Sequence, residues 1–129
     1  MSVFPLVPAR TALINVDMQR CFVEGSPLAS PDGAALVPTI NRLIRTCRKT
    51  GTLVVHTRMW MAKDRSDMGV MAELVPPFIA ELYTDGAPTA ELHDALDVAP
   101  GDLVVDKTRY GGFHGTGLGQ RLRHRESTP

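Results

Sequence analysis

The sequence has few cysteines, few aromatic residues, no net charge and no long apolar run, and each shortage excludes a class of protein. Only two of the 129 residues are cysteines, and their spacing matches no metal or redox motif. Basic and acidic residues number 14 each, so no overall field would attract nucleic acid or an anionic membrane. No apolar run is long enough to span a bilayer.

The amino terminus also lacks the features of a secretion signal. No charged segment precedes an apolar core there, and Pro5 and Pro8 interrupt the stretch. Together with the low cysteine content, this indicates a protein of the reducing cytoplasm. The length and a hydrophobic content of 43% predict one domain spanning residues 1–129.

Two apolar runs that end in charged residues are the most informative parts of the chain. Residues 11–16 have the pattern of a strand buried on both faces of a parallel sheet, and the run stops at Asp17. Residues 103–106 form a similar run that leads into Lys107. Open α/β sheets bind ligands at the carboxyl ends of their strands. Either residue alone is more commonly a surface residue beyond a strand, but the two together predict a site.

The segment between these runs begins with a predicted strand–helix–strand unit. Residues 20–33 carry two glycines and two prolines and predict a loop. A helix is predicted from about Pro38 to a stop at Gly51, followed by a β-branched strand over residues 52–57. Consecutive parallel strands joined by a helix form a right-handed crossover.

The rest of the chain is less regular until its last helix. A short helix is predicted within residues 68–74, and His93 is interpreted as a surface histidine in an irregular region. After the third strand, Thr116 can cap a final helix in which Leu118 and Leu122 share one face.

Two motifs together resemble those of the isochorismatase-like cysteine hydrolases. The first is Asp17-Met18-Gln19 with Phe22 downstream, and the second is Lys107-x-Arg109-Tyr110-x-x-Phe113-x-Gly115-Thr116-x-Leu118. The likeness extends over nearly all of residues 10–125. It implies an α/β fold of three α/β/α layers around a Rossmann-like parallel sheet.

The resemblance also implies an Asp–Lys–Cys triad that hydrolyses a small amide, ureido or carbamoyl compound. By position, Asp17 would be the general base that takes the thiol proton, and Lys107 would stabilise the thiolate, which is the reactive form. Four aromatic residues could line the substrate pocket, although buried aromatic residues more often belong to the core: Phe22, Trp60, Tyr110 and Phe113.

A metal site is not expected. In the nicotinamidase branch of the family, an aspartate and a histidine after the second strand bind a metal. Met59 and Met61 occupy those positions here, and thioethers are poor ligands for hard or borderline cations. We therefore predict no metal and no other cofactor.

The nucleophile of the family is missing from the printed sequence. Relatives continue from the helix at residues 116–125 into a fourth strand that bears the cysteine, whereas only residues 126–129 follow here. The sequence thus predicts a domain truncated after the third strand and the following helix. A truncated gene product, a frameshift and a fragment would all give this pattern. Cys21 could replace the nucleophile only if its loop folded back.

Two alternatives to a hydrolase therefore remain, a non-catalytic module that binds a small molecule or a relative, and a non-functional fragment. If the strand order follows the family, strand one lies at the edge of the sheet. An apolar edge strand pairs readily with other chains. We therefore expect a marginally stable chain that forms homo-oligomers.

Overall fold

A computed structural model describes residues 4–127, and within this range three parallel strands form one sheet. The strands are β1 (Ala12–Val16), β2 (Leu53–Met59) and β3 (Leu103–Lys107), and β2 lies between the other two. Apolar and β-branched residues make up most of each strand, as expected in a sheet covered on both faces. The predicted α/β fold with a parallel sheet is confirmed.

Five helices accompany the sheet within the described residues. They are α1 (Arg20–Val23), α2 (Gly33–Thr50), α3 (Met71–Leu74), α4 (Pro77–Ala80) and α5 (Leu118–Ser127). Single 3₁₀ turns lie at Pro8–Arg10, Glu81–Tyr83 and Pro88–Ala90. Among residues 4–127, no helix combines the length and the apolar character needed to cross a membrane.

The two longest helices cover opposite faces of the sheet. Ile44 of α2 packs with Val54 of β2 on one face. On the other face, Leu118 and Leu122 of α5 pack with the strand residues around Val55. The three layers are therefore present, and the prediction that Leu118 and Leu122 share a face is confirmed.

Helix α2 begins at Gly33, five residues before the predicted start at Pro38. Gly33 lies where two segments of the chain approach each other closely. A Cβ atom added to Gly33 would lie 2.1 Å from the carbonyl oxygen of Val23, so a side chain cannot fit at this position. Gly33 is thus needed for packing rather than for a turn. The helix ends as predicted at Gly51, which has a φ of 82°.

Two other predictions in the irregular regions are wrong. Residues 20–33 are not entirely loop, because the first four form α1. His93 is not a surface histidine: its side chain is only 13% exposed, and its Nε2 lies 2.7 Å from Oε1 of Glu24. Both errors arise because contacts with distant segments of the chain order residues that have no periodic pattern of their own.

A partly buried polar cluster lies between the sheet and α2, and we call it the His56 network: Asn15, Arg48, His56, Asp97 and Asp102. His56 is fully buried, with its Nε2 2.9 Å from Oδ2 of Asp102 and its Nδ1 3.5 Å from Nδ2 of Asn15. Arg48 donates to both aspartates at 2.7 and 3.0 Å. The network thereby ties α2 to the segment that precedes β3.

Asp102 is the centre of this network. Burial on its own would raise the pKa of the Asp102 carboxyl group. Hydrogen bonds from Arg48, from the Ala99 N–H group and from His56 outweigh that effect and hold the pKa below its ordinary value. Asp102 in turn raises the pKa of the Arg48 guanidinium through their hydrogen bond. The Arg48 guanidinium therefore pairs with both carboxylates of the network, those of Asp97 and Asp102.

Candidate active site

Asp17 and Lys107 meet at the carboxyl ends of the strands. Nζ of Lys107 lies 2.9 Å from Oδ2 of Asp17, although 90 residues separate them in the sequence. The Lys107 side chain is 1% exposed and the Asp17 side chain 23%. A buried ammonium group needs a counter-ion, and Asp17 supplies it. The carboxylate is the member of the pair that an incoming molecule could contact.

The Lys107 ammonium group has further acceptors around it. Its Nζ lies 3.2 Å from the carbonyl oxygen of Arg109 and 3.7 Å from Sδ of Met59. Met59 is placed there by the sheet, because it lies opposite Lys107 in the β2–β3 register. An ammonium group has three protons to donate, so each of them can be given a partner. These contacts therefore hold the Lys107 side chain in one orientation.

Asp17 has an unusual backbone conformation, with a φ of 56°. Residues other than glycine rarely adopt this left-handed conformation, and holding one there costs about 1–3 kcal/mol. Its N–H group donates to the Thr57 carbonyl oxygen at 3.1 Å and to Thr57 Oγ1 at 3.2 Å. The Thr57 hydroxyl group donates in turn to Oδ1 of Asp17 at 2.8 Å. Both carboxylate oxygens are thus engaged.

The side chain of Gln19 takes the place of a strand beyond the end of β1. Its Oε1 accepts from the Met59 N–H group at 2.7 Å, and its Nε2 donates to the Met59 carbonyl oxygen at 2.8 Å. Nε2 also lies 2.8 Å from the carbonyl oxygen of Ala90. β2 continues two residues beyond the predicted end at residue 57, because β3 pairs with it as far as Met59 and the Gln19 amide satisfies the Met59 backbone on the other side.

The residues that form this site lie within a known protein family. A family model described as "Isochorismatase domain" matches residues 11–128. The chain belongs to the isochorismatase family. The resemblance inferred from the two motifs is thereby confirmed.

Relatives of this isochorismatase-family chain include amidohydrolases. The crystal structure of a cysteine hydrolase from Pseudomonas syringae pv. phaseolicola is 35% identical, with a TM-score of 0.88 over 95% of this chain and 58% of that one. The ureidoacrylate amidohydrolase RutB of Rhizobium rhizogenes is 31% identical over 93% of this chain and 56% of its own length. The N-carbamoylsarcosine amidase of an Arthrobacter species is 27% identical over 84% and 42%.

The chain spans about half the length of the curated relatives it matches. The matched part includes both motifs and the strands that carry Asp17 and Lys107. What the longer relatives do as whole proteins therefore enters the function of this chain only as a proposal.

Cys21 is a buried thiol in this family member. It is fully buried in an apolar cluster that also contains Met59 and Met61. Burial raises the pKa of Cys21 to about 11, and the negative charge of Asp17 adds to the increase. The thiol is therefore protonated at neutral pH, and a protonated thiol is a weak nucleophile.

The four aromatic residues predicted to bind substrate lie in two different environments. Phe22 stacks on Tyr83 with 6.0 Å between ring centroids, and the Trp60 indole N–H group donates to Asp85 at 3.2 Å. Both pack against the apolar cluster around Cys21. Tyr110 and Phe113 follow Lys107 and are 80% and 58% exposed. Their roles in substrate binding stay predictions.

The positions of the metal ligands in the nicotinamidase branch are occupied by packed side chains. Met59 and Met61 are buried in the apolar cluster, and Met59 also contacts Lys107. Among the described residues, no group of three or more His, Cys, Asp and Glu side chains is arranged to hold a metal ion. Chemistry without a metal stays a prediction for this chain.

Sequence reasoning missed the roles of Thr57 and Gln19 in the site. Gln19 belongs to the first motif, and its position two residues after Asp17 was a usable signal. Thr57 carried no such signal, because threonine is an ordinary residue in a β-branched strand. Its hydroxyl group acquires a role only when β1 and β2 are aligned, so that Val16 lies opposite Thr57.

Proposed function

We propose that this chain provides the aspartate and the lysine of a cysteine-dependent amidohydrolase that acts on a small amide, ureido or carbamoyl compound. The observation that carries the proposal is the 2.9 Å contact between Lys107 and Asp17, whose carboxylate is the more accessible partner. The names of two relatives, an amidohydrolase of ureidoacrylate and an amidase of N-carbamoylsarcosine, support this substrate class.

The proposed reaction uses first the Asp17 carboxylate and then the Lys107 ammonium group. The Asp17 carboxylate takes the proton of a cysteine thiol, and the Lys107 ammonium group stabilises the resulting thiolate. The thiolate attacks the carbonyl carbon, and backbone N–H groups bind the oxyanion. The C–N bond then breaks, and the amine leaves with the proton that Asp17 returns. Water hydrolyses the thioester and regenerates the thiol.

We assign the nucleophile to a cysteine on a strand that adds to β1, as the family resemblance implies. Alternate residues of β1 bond to β2, shown by the contacts from Leu53 N–H to Thr11 and from Asp17 N–H to Thr57. The backbone groups of the intervening residues face away from β2. Within residues 4–127 no strand pairs with that side. A strand added there in the same direction as β1 would place its carboxyl end beside Asp17.

The test is turnover of ureido acids, N-carbamoyl amino acids and simple amides. The purified chain is measured alone and mixed with the carboxyl-terminal part of the Pseudomonas syringae relative, either intact or with its cysteines replaced by serine. Turnover is expected only with the intact segment, and it should be lost in Asp17→Asn and Lys107→Met but kept in Cys21→Ser. Turnover by the chain alone that Cys21→Ser abolishes would assign the nucleophile to Cys21 instead.

A second candidate function is that of a non-catalytic module that associates with another chain through β1. The free side of β1 and the exposure of Val16, 61% of whose surface is accessible, favour it. We expect copies of the chain to associate, and Val16→Lys to shift the sedimentation coefficient towards the monomer. Val70→Lys is the matched control, because Val70 is 65% exposed but lies outside the sheet. Equal effects of both changes would argue against pairing at β1.

A further inference from the structure

We propose that Thr57 is a positioning residue that aims the Asp17 carboxylate, and that Gly112 sets the direction of the Thr57 side chain. The proposal rests on the function proposed above, because it concerns the group assigned there as the general base. It deepens that function by assigning a residue that neither motif contains.

One hydroxyl group ties both the backbone and the side chain of Asp17. Thr57 Oγ1 accepts from the Asp17 N–H group at 3.2 Å, and its own proton goes to Oδ1 of Asp17 at 2.8 Å. In the left-handed backbone conformation of Asp17, its N–H group and its carboxylate both reach this one oxygen atom. Thr57 therefore stabilises a conformation that a residue with a side chain rarely adopts.

The glycine-rich loop after Lys107 holds the other branch of Thr57. A Cβ atom added to Gly112 would lie 3.3 Å from Cγ2 of Thr57 and 4.0 Å from Cδ2 of Leu118. Thr57 is 1% exposed, so its methyl group is enclosed, and the loop at Gly112 lies against one side of it. Threonine has two heavy atoms on Cβ and few allowed rotamers. With the methyl group confined, the hydroxyl group is left facing Asp17.

The consequence for catalysis is a fixed carboxylate plane. Oδ2 of Asp17 accepts from Lys107 and Oδ1 accepts from Thr57, so rotation about the side-chain bonds would break one contact or the other. Each carboxylate oxygen can accept more than one hydrogen bond. The remaining lone pairs are therefore held in one orientation for an incoming thiol proton. Without the Thr57 hydroxyl group, only Lys107 would orient the side chain.

The experiment follows the Asp17 carboxylate directly by NMR on the full chain. The chain is labelled with ¹³C in aspartate and ¹⁵N in lysine, and the Asp17 Cγ and Lys107 Nζ signals are assigned with Asp17→Asn and Lys107→Met. Thr57→Val keeps the shape but removes the hydroxyl group, and it should shift the Asp17 signal by more than its line width. Thr57→Ser keeps the hydroxyl group and should leave the signal within the line width of the parent.

Two glycine variants in the loop after Lys107 test whether Gly112 sets the direction of the Thr57 side chain. Gly112→Ala should displace Thr57 and shift the Asp17 signal in the same direction as Thr57→Val, but by a smaller amount. Gly111→Ala is the matched control, because an added Cβ there has no heavy atom within 4 Å. If Thr57→Val does not fold, as judged by circular dichroism, the two glycine variants decide the question.

Three results would overturn the proposal. Thr57→Val could lower the thermal midpoint with the Asp17 signal unchanged, which would make Thr57 a packing residue only. Thr57→Ser could shift the signal as much as Thr57→Val, or Gly111→Ala as much as Gly112→Ala. Because these signals need no turnover, a failed amidase assay would overturn the proposed function without deciding the role of Thr57.

Discussion

The Asp17–Lys107 pair and the His56 network both hold charged side chains against the sheet, but their hydrogen bonds are distributed differently. In the network, Asp102 has a 5% exposed side chain and accepts from an arginine, a histidine and a backbone N–H group. In the pair, Lys107 is the sealed member and Asp17 keeps an accessible edge. The comparison indicates that a carboxylate enclosed by several donors of the chain serves stability, whereas a carboxylate left partly open can serve chemistry.

Removing the centre of the His56 network should have the largest effect on stability. Asp102→Ala leaves the Arg48 guanidinium and the buried His56 without their shared acceptor, so we expect a loss of about 3–5 kcal/mol in the free energy of unfolding. Urea denaturation followed by circular dichroism measures it.

Asp94→Ala provides the matched control for that change. Asp94 forms an ion pair with Arg20, but its side chain is 77% exposed, so its loss should cost no more than about 1 kcal/mol. If the two variants lost equal stability, the His56 network would not be the structural centre that its contacts indicate.

The pair at the strand ends should respond asymmetrically to removal of its two members. Asp17→Ala leaves a buried ammonium group without its counter-ion and should cost about 3 kcal/mol. Lys107→Met leaves a carboxylate that water can reach, so its cost should be about 1 kcal/mol or less. Urea denaturation of both variants tests the difference, and equal losses would mean that Asp17 is as sealed as Lys107.

Acid should weaken the His56 network when the carboxyl group of Asp102 is protonated. The pKa of Asp102 in the folded chain lies below its unfolded value of about 3.9, so its contribution is fully present above pH ~4. That contribution is lost as pH falls through the lower, folded value. The free energy of unfolding should therefore fall more steeply below pH ~4 in the parent than in Asp102→Asn. Parallel curves would contradict the assignment.

The smallest expected effect is on the thiol beside the pair. With the pKa of Cys21 raised to about 11, alkylation by iodoacetamide at pH 8 should be slow in the folded chain and fast in urea. Asp17→Asn removes a nearby negative charge, and it should raise the Cys21 rate modestly while leaving the Cys47 rate unchanged. Mass spectrometry separates the two sites. A rapid Cys21 reaction in the folded parent would place this thiol among the reactive groups.

Elements with a local pattern were predictable from the sequence. The three strands, the stop of α2 at Gly51 and the paired leucines of α5 follow from apolar runs, a glycine and helical spacing. The meeting of Asp17 with Lys107 was also expected, because parallel strands bring their carboxyl ends to one edge of the sheet.

What could not be predicted depends on tertiary contacts. A glycine such as Gly33 suggests a turn, but here it begins a helix, and it must be glycine because Val23 lies against it. His93 lies in an irregular segment, and its side chain is ordered by a contact with Glu24, 69 residues away. Thr57 looks like any other strand residue until Asp17 is placed beside it. In each case the deciding partner lies outside the sequence window that a periodic pattern covers.

The amide of Gln19 has a consequence for how sequences with this site can vary in length. The Gln19 side chain, rather than a longer strand, satisfies the backbone groups of Met59. The spacing of two residues between Asp17 and Gln19 is therefore fixed. One residue inserted or deleted there would move either the carboxylate away from Lys107 or the amide away from Met59. The turn at Asp64 is held by a local contact, from the Ser66 N–H group to Oδ1 of Asp64 at 3.0 Å. Insertions and deletions compatible with the site should therefore accumulate in that segment and be absent between Asp17 and Gln19.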